Sequence, residues 1–491
     1  MRQQKPILNA MNGRESNTLK VPSLVAMGAM CVLLLGAIVF YKERILFLDD
    51  AFIPFRIINL HLLQVQEHRY GSFITQCIPL LGSYMHWPLS VLLLAYSISF
   101  NAFYLAVVLL LIYKFRQYGM AILMALYYTL FVSDSFFWTN NEVHQGIAWM
   151  FLFFAVTAGM ARSQRPLVIQ IIGFIVLCVL SVFTHPLIMI SMLYLWIFFM
   201  SDSATRPYNF PRLILFSIIL MGIITAKFYI SHSAGYDSDK LRKITLTSFS
   251  DVLHVFSGHI SRTFLHYCRI NYWWMPVIFI TGLAAMLHQR RYIAFIATTF
   301  FAIALFIFIC LTYSSASYDR HDLFYMEGEW MSLTIIIAAP FVFYFLPSIR
   351  SSYAAIFLSL IFITRFVYII QASPVFTQRL ETLTQAIDKM NALGLTKAVV
   401  IKDDRLTDKV LMDWGLPVET MMLSAINHKR PNCTLVQIGT TDTVTRLPHN
   451  NTGMIECFGP LKIRLNTVYF HFDSSTSYHI LKYDDLFPAT Y

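Results

Sequence analysis

The chain has 491 residues, 57% of them hydrophobic and 13% charged, with 42 Phe, 26 Tyr, 8 Trp and a mean hydropathy of +0.58. Soluble domains carry about a quarter charged residues, so this composition excludes an ordinary soluble chain and describes a polytopic membrane protein. The net charge of +10 requires no nucleic acid, because Lys and Arg in short loops serve to orient membrane spans.

Residues 1–21 are polar and carry Arg2, Lys5, Arg14 and Lys20; the apolar run 21–41 follows with no small-residue cleavage site, the pattern of an uncleaved, cytoplasmic-side anchor. Directly beyond it stands Phe47-Leu48-Asp49-Asp50-Ala51-Phe52. Two carboxylates at a membrane edge are costly unless something binds or solvates them. Asp50 fits as the N-cap of a following helix, with Pro54 tolerated in its first turn, which leaves Asp49 without a structural role. In the same loop Phe52, Phe55, Ile58, Leu62 and Val65 recur at three- and four-residue spacing opposite Arg56, Asn59, Gln64 and Glu67, which predicts an amphipathic helix at the membrane interface.

Apolar runs long enough for spans lie near 22–41, 88–113, 120–138, 143–161, 167–184, 186–200, 213–230, 274–287, 293–313, 331–347 and 353–370, about eleven in all, so residues 22–370 form the membrane domain. With the N-terminus inside, alternate short connections carry Lys114 and Arg116, Arg162 and Arg165, Arg206 and Arg212, Arg290 and Arg291, then Arg350, as cytoplasmic loops should. Lys42 and Arg44 run against this assignment. The opposite side then holds loops 42–87, 231–273 and 314–330, two short polar turns, and, after an odd number of spans, the tail 371–491. The expected location is the cytoplasmic (inner) membrane with the tail outside.

The first of those turns, Trp138-Thr139-Asn140-Asn141-Glu142-Val143-His144-Gln145, gathers one carboxylate, one imidazole and three amides; the second is Thr184-His185-Pro186. Loop 314–330 contains Asp319, Arg320, His321, Asp322, Glu327 and Glu329, and Lys240, Arg242, Lys243, Arg262 and Arg269 precede the eighth span. A site handling a lipid phosphate needs this inventory: a carboxylate to take a proton, oxygens for a divalent cation where one is used, and Arg, Lys or His against phosphate.

After Ser373-Pro374 the composition turns globular. A helix over 375–393, a strand over 397–401, a helix over 417–427 and strands over 434–438, 462–465 and 467–472 predict a small α/β domain, with no Gly-rich phosphate loop or nucleophile elbow. Seven cysteines show no metal-ligand spacing; Cys433 and Cys457 share the tail, where a disulfide is chemically allowed.

An anchor span, an acidic pair in the first external loop, a following interfacial helix, a second acidic turn after the third span and an external tail together resemble the GT-C superfamily of integral-membrane glycosyltransferases. The matching motif is Asp49-Asp50, with Glu142 as a second element; Asn271-Tyr272-Trp273-Trp274 is not the WWDYG motif of the oligosaccharyltransferase branch. The resemblance implies transfer of a sugar from a polyprenyl-phosphate or pyrophosphate donor to a lipid, glycan or protein acceptor. Carried over, Asp50 or Asp49 is the general base or a metal ligand (Mg, Mn or Zn) and Glu142 a second acidic ligand. From charge and sidedness, Arg269, Arg320 and His321 are candidate donor-phosphate partners, and His144 and His185 further substrate contacts. Competing readings are an O-antigen polymerase or ligase, a transporter or flippase of lipid-linked glycans, and a non-catalytic envelope assembly protein. Transport would place ionisable groups at mid-membrane.

Overall fold

The computed structural model describes residues 17–162, 166–200, 208–233, 249–313, 323–427, 431–439, 453–473 and 475–487, with Ser238. In chain order its principal helices are α1 (Lys20–Val39), α2 (Asp49–Leu60), α3 (Phe73–Tyr84), α4 (Leu89–Leu109), α5 (Tyr118–Leu130), α6 (Glu142–Arg162), α7 (Leu167–Val182), α8 (Ile188–Met200) and α9 (Phe210–Ser233). They continue with α10 (His259–Ile270), α11 (Trp274–His288), α12 (Tyr292–Thr312), α13 (Leu323–Pro340) and α14 (Ser351–Ala392). Each of the apolar stretches overlaps one of these helices. Seven are long and apolar enough to cross a membrane, namely α1, α4, α6, α9, α12, α13 and α14, whereas α5, α7 and α8 have 10–17 residues. Helix α11 continues the segment before it only through an 89° bend. Helices α6 and α13 form the centre, 83% of each span being buried, while α9 and α12 lie at the rim, with 22% and 28% buried.

The stretch expected as a third span over 120–138 is helical only to Leu130, and residues 131–141 are irregular apart from a 3-10 turn at Asp134–Phe136. Irregular backbone inside a bundle requires a partner for every peptide group. Four buried charged side chains supply many of them. Glu327 of α13 accepts from the N–H groups of Ser133 (2.9 Å), Asp134 (3.2 Å) and Ser135 (2.6 Å), and from the Tyr272 hydroxyl. Arg365 of α14 donates to the carbonyls of Thr129 (3.1 Å) and Val132 (2.9 Å) and to Ser133 Oγ (2.9 Å). Arg44 donates to the Phe136 carbonyl (2.7 Å), to Asn101 Oδ1 (2.7 Å) and to Ser97 Oγ (3.1 Å). Asp50 takes the next two N–H groups. Arg44, set against the loop-charge pattern in the sequence, is therefore an internal group rather than a topological one.

Helix α2 is shorter than its apolar periodicity implies. It stops at His61, which adopts a left-handed conformation (φ 53°), so Leu62 and Val65 fall outside it. Its apolar face does not lie along lipid: Phe52, Phe55 and Ile58 are buried, Phe55 against Phe470 (5.3 Å) and Phe52 against Phe458 (5.5 Å), both from the tail. The tail also bonds α2 directly, through Asn466 N–H to Asn59 Oδ1 (2.6 Å) and Arg56 to Glu456 (2.8 Å).

The change of composition at 373–374 falls inside α14, which runs 42 residues without a break. Pro374 has no N–H for the Ile370 carbonyl, and the Ser373 hydroxyl donates to that carbonyl instead (2.8 Å), so the helix passes through. Beyond it are β1 (Lys397–Ile401), α15 (Leu416–Ile426), β2 (Thr434–Ile438), the two-residue strands β3 (Ile455–Glu456) and β4 (Gly459–Pro460), and β5 (His479–Leu481). Strands β2-β1-β5 form a parallel sheet, and β3 and β4 a short hairpin. The expected strands over 462–465 and 467–472 are irregular; their polar groups bond to side chains, as when His471 N–H donates to Asn432 Oδ1 (2.6 Å). Cys433 and Cys457 are free thiols, the first donating to Asn391 Oδ1 (3.2 Å).

A buried ion pair within the tail also grips the chain just ahead of α2. Arg379 of α14 is bound to Glu419 of α15 and also donates to the Leu46 (2.6 Å) and Val410 (2.9 Å) carbonyls; Glu419 accepts from the Leu48 N–H (2.7 Å). Leu48 has positive φ (49°), a conformation a Leu adopts only when held. Gly415 lets α15 approach this point, since a Cβ there would meet Glu419 Oε1 at 2.4 Å and Leu48 Cα at 3.2 Å. Arg379→Met leaves Glu419 charged and unpaired and should destabilise the purified protein by about 3 kcal/mol. Adding Glu419→Leu should recover part of that loss in the same thermal-unfolding measurement.

Candidate functional site

One end of the bundle gathers the start of α2, the start of α6, the turn between α7 and α8, the end of α12 and the second turn of α13 around a cavity of about 540 Å³. That size suits a small-molecule site, which occupies about 300–1,000 Å³. Asp49, Glu67, Glu142 and Glu329 bring carboxylates to it, Arg69 a guanidinium and His185 an imidazole. Trp138 and Tyr325 form one wall, packed edge to face at 5.0 Å. Trp414 and Phe458, stacked at 5.5 Å, come from the tail, Phe458 from the tip of the β3–β4 hairpin. Gly328 makes the wall possible, because a Cβ there would meet Asn141 Nδ2 at 2.7 Å and Trp138 Cζ3 at 2.9 Å.

The two adjacent aspartates have separate duties. Asp50 is fully buried, and its side chain caps no helix: it accepts from Thr139 N–H (2.7 Å), Thr139 Oγ1 (2.6 Å) and Asn140 N–H (2.5 Å). Burial opposes its charge, while the donors on both oxygens and the nearby Arg44 favour it. Both oxygens are occupied, so Asp50 does not suit a role as base or metal ligand. Asp49, one residue earlier, lines the cavity, and no hydrogen bond to its carboxylate is made among the described residues. Burial first, then the charge of Glu142, pushes its carboxyl up to about 7 against the pull of Arg69. Glu142 itself is held by Arg69 at 2.9 Å. His185 Nδ1 accepts from Leu187 N–H (3.2 Å), which leaves the proton on Nε2; burial, Arg69 and Lys227 hold its pKa well below the usual histidine range, so it is neutral.

Of the candidate catalytic and substrate-binding residues, the cavity brings together Asp49, Glu142 and His185, with Glu67 and Glu329 of the loop inventory beside them. Asp50 sits behind it as a staple for the 139–140 turn. His144 faces inward among Tyr104, Tyr127 and Tyr128, on a separate pocket of about 30 Å³. Arg269 is exposed on α10 and does not line the cavity, and Arg320 and His321 lie outside the described residues. The basic group that does line it, Arg69, stands in the polar run 64–70 of the first loop, a signal present in the sequence but less conspicuous than the acidic pair. Trp414 and Phe458 carry no sequence signal, since only the docking of the tail places them here.

Among the described residues no three His, Cys, Asp or Glu side chains converge as a metal cluster. The donor set nevertheless fits a divalent cation bound in part by substrate: Mg²⁺ is commonly held by one or two carboxylates plus phosphate oxygens, and a cation between Asp49 and Glu142 relieves the repulsion that raises Asp49. No family model, curated protein or solved structure matches the chain.

The two aspartates should respond oppositely to amidation. Asp50→Asn sets an NH₂ against a buried donor and should destabilise the protein by about 3 kcal/mol. Asp49 has a folded-state pKa above its ordinary value of 3.8, so the fold binds a proton that the unfolded chain releases, and stability falls as pH rises from about 4 to about 7. Asp49→Asn escapes that loss. Its melting temperature should exceed the wild type's by a margin that grows from pH 5 to pH 7 and then levels off.

Proposed function

We propose that the chain is an integral-membrane glycosyltransferase of the GT-C type, moving a sugar from a polyprenyl-linked donor to a lipid, glycan or protein acceptor. The observation that carries this reading is Asp49: a cavity-facing carboxyl, without a hydrogen-bond donor among the described residues, raised to about 7 beside Glu142 and walled by Trp138, Tyr325, Trp414 and Phe458. A base with a pKa near the working pH is the most effective proton acceptor. Aromatic faces suit the apolar faces of a sugar ring, and the carboxylates suit its hydroxyls.

In this reading the Asp49 carboxylate takes the proton of an acceptor hydroxyl as its oxygen attacks the anomeric carbon. The bond from that carbon to the phosphate oxygen breaks, and the polyprenyl phosphate departs with the electron pair. Neutral His185 is placed to donate from Nε2, while Arg69 fixes Glu142 and offsets the negative charge of the walls. Were a divalent cation used, Glu142 and the oxygens of the substrate phosphate would hold it beside Asp49, and it would supply charge neutralisation for that phosphate. Loop charge favours the outside for the end of the bundle that holds the cavity, and this supports a site on the external face of the cytoplasmic membrane. Buried charges support this reading over transport, since Glu327, Arg365, Arg44 and Asp50 are engaged with backbone and not arrayed along a path.

Asp49→Asn should leave expression normal and reduce transfer from radiolabelled polyprenyl-linked sugars in nanodiscs by at least about a hundredfold. Transfer by the wild type should rise with pH up to about 7 and then level off, as an ionising base requires. Full activity in Asp49→Asn overturns the assignment. For topology, Lys402→Cys, on the exposed side of the tail, should be labelled in whole cells by a membrane-impermeant maleimide; labelling only after permeabilisation reverses the orientation.

A further inference from the structure

Helix α10 is amphipathic in an unusual sense, because its polar stripe is basic and points away from the protein. Ile260, Ser261, Phe264 and Cys268 are buried, whereas His259, Arg262, His266 and Arg269 are exposed at spacings of three, four and three on the opposite side. Neither arginine makes an ion pair among the described residues. Between stripe and protein, Leu265 is 56% exposed, and Leu253, Phe256, Ile270 and Trp273 extend the exposed apolar surface before and after the helix.

Its packing fixes its level. Phe264 stacks on Trp330 of α13 at 3.8 Å and meets Phe306 of α12 at 5.9 Å, and Phe256 stacks on Phe306 at 5.7 Å. Phe306 lies six residues before the end of α12 and Trp330 seven after the start of α13, each about 10 Å of helix from the cavity end. The helix therefore lies across the flank of the bundle and not over its end. The segment containing it meets α11 at 89°, so where α11 crosses the membrane, α10 runs parallel to its surface. The rim below it is lipid-like, with Ile280, Ile293, Ile296 and Phe300 exposed.

The cationic stripe is thus directed sideways about 10 Å below the bundle's end. We propose that α10 is an interfacial anchor that binds the headgroup phosphates of anionic phospholipids through Arg262 and Arg269, with His259 and His266 lining the same stripe. This is independent of the glycosyltransferase reading. Leu265, Ile270 and Trp273 enter the acyl region beside it, and the arginines reach the phosphate layer.

The test uses the full chain in vesicles, with Thr263→Cys carrying a bimane probe and Cys31, Cys77 and Cys457 replaced by Ser. A headgroup nitroxide on phosphatidylcholine should quench the probe at least about twice as well as a mid-chain nitroxide. Replacing a third of the carrier phosphatidylcholine with phosphatidylglycerol should then lower headgroup quenching at least about twofold, as anionic lipid displaces the zwitterionic quencher. Arg262→Lys with Arg269→Lys should keep that displacement, and Arg262→Gln with Arg269→Gln should abolish it. A probe quenched by aqueous iodide and by neither nitroxide overturns the proposal, as does displacement that persists undiminished in the Gln variant.

Discussion

Backbone satisfaction inside the bundle is the constraint on which the rest of this structure depends. Between Leu130 and Glu142 the chain leaves helical geometry in an interior that offers no bulk water, and every exposed peptide group there would cost several kcal/mol. The answer is a ring of charge from three other places in the chain: Glu327 and Asp50 take N–H groups, while Arg365 and Arg44 take carbonyls. The four charges sum to zero. Each anion is surrounded by donors and each cation by acceptors, the condition under which buried ions are tolerated. This ring lets the 138–142 turn present Trp138, Asn141 and Glu142 to the cavity from a fixed position.

The same constraint divides labour between adjacent aspartates. Asp50 enters the interior and becomes part of the scaffold; Asp49, at the first position of the same helix, is left on the cavity side with its carboxyl poorly solvated. Leu48 makes this possible by taking a positive φ, held by Glu419 on its N–H and by Arg379 on the Leu46 carbonyl. The tail thus contributes twice to the site, through the aromatic pair Trp414 and Phe458 and through the clamp that sets the direction of the acidic pair.

Much of the architecture was legible because hydropathy and helix length are local properties. The apolar stretches overlap helices, and β1, β2 and α15 stand within a residue of where the pattern places them, but of about eleven expected spans only seven among the described helices are long and apolar enough to cross a membrane. The end of α5 at Leu130 was not legible, because residues 131–138 are apolar enough to continue and only the distant Glu327 and Arg365 favour the irregular path. Nor could periodicity tell that the apolar face of α2 meets Phe470 and Phe458 in place of lipid, since both surfaces ask for the same residues. The acidic pair stood out from its setting, but which member faces the cavity depends on Thr139 and Asn140, far off in sequence. Arg269 was drawn toward the site by charge alone, and charge carries no information about which flank of the bundle a helix occupies.

Helix α14 joins bundle and tail as a single shaft, 42 residues or about 63 Å long. Its passage through Pro374 without a break means that there is no hinge of the kind that separates a tethered domain from its anchor. A tilt of about 5° at one end carries the other end through about 5 Å, on the rise of an α-helix. Trp414 and Phe458 therefore ride on a domain joined rigidly to the membrane helices.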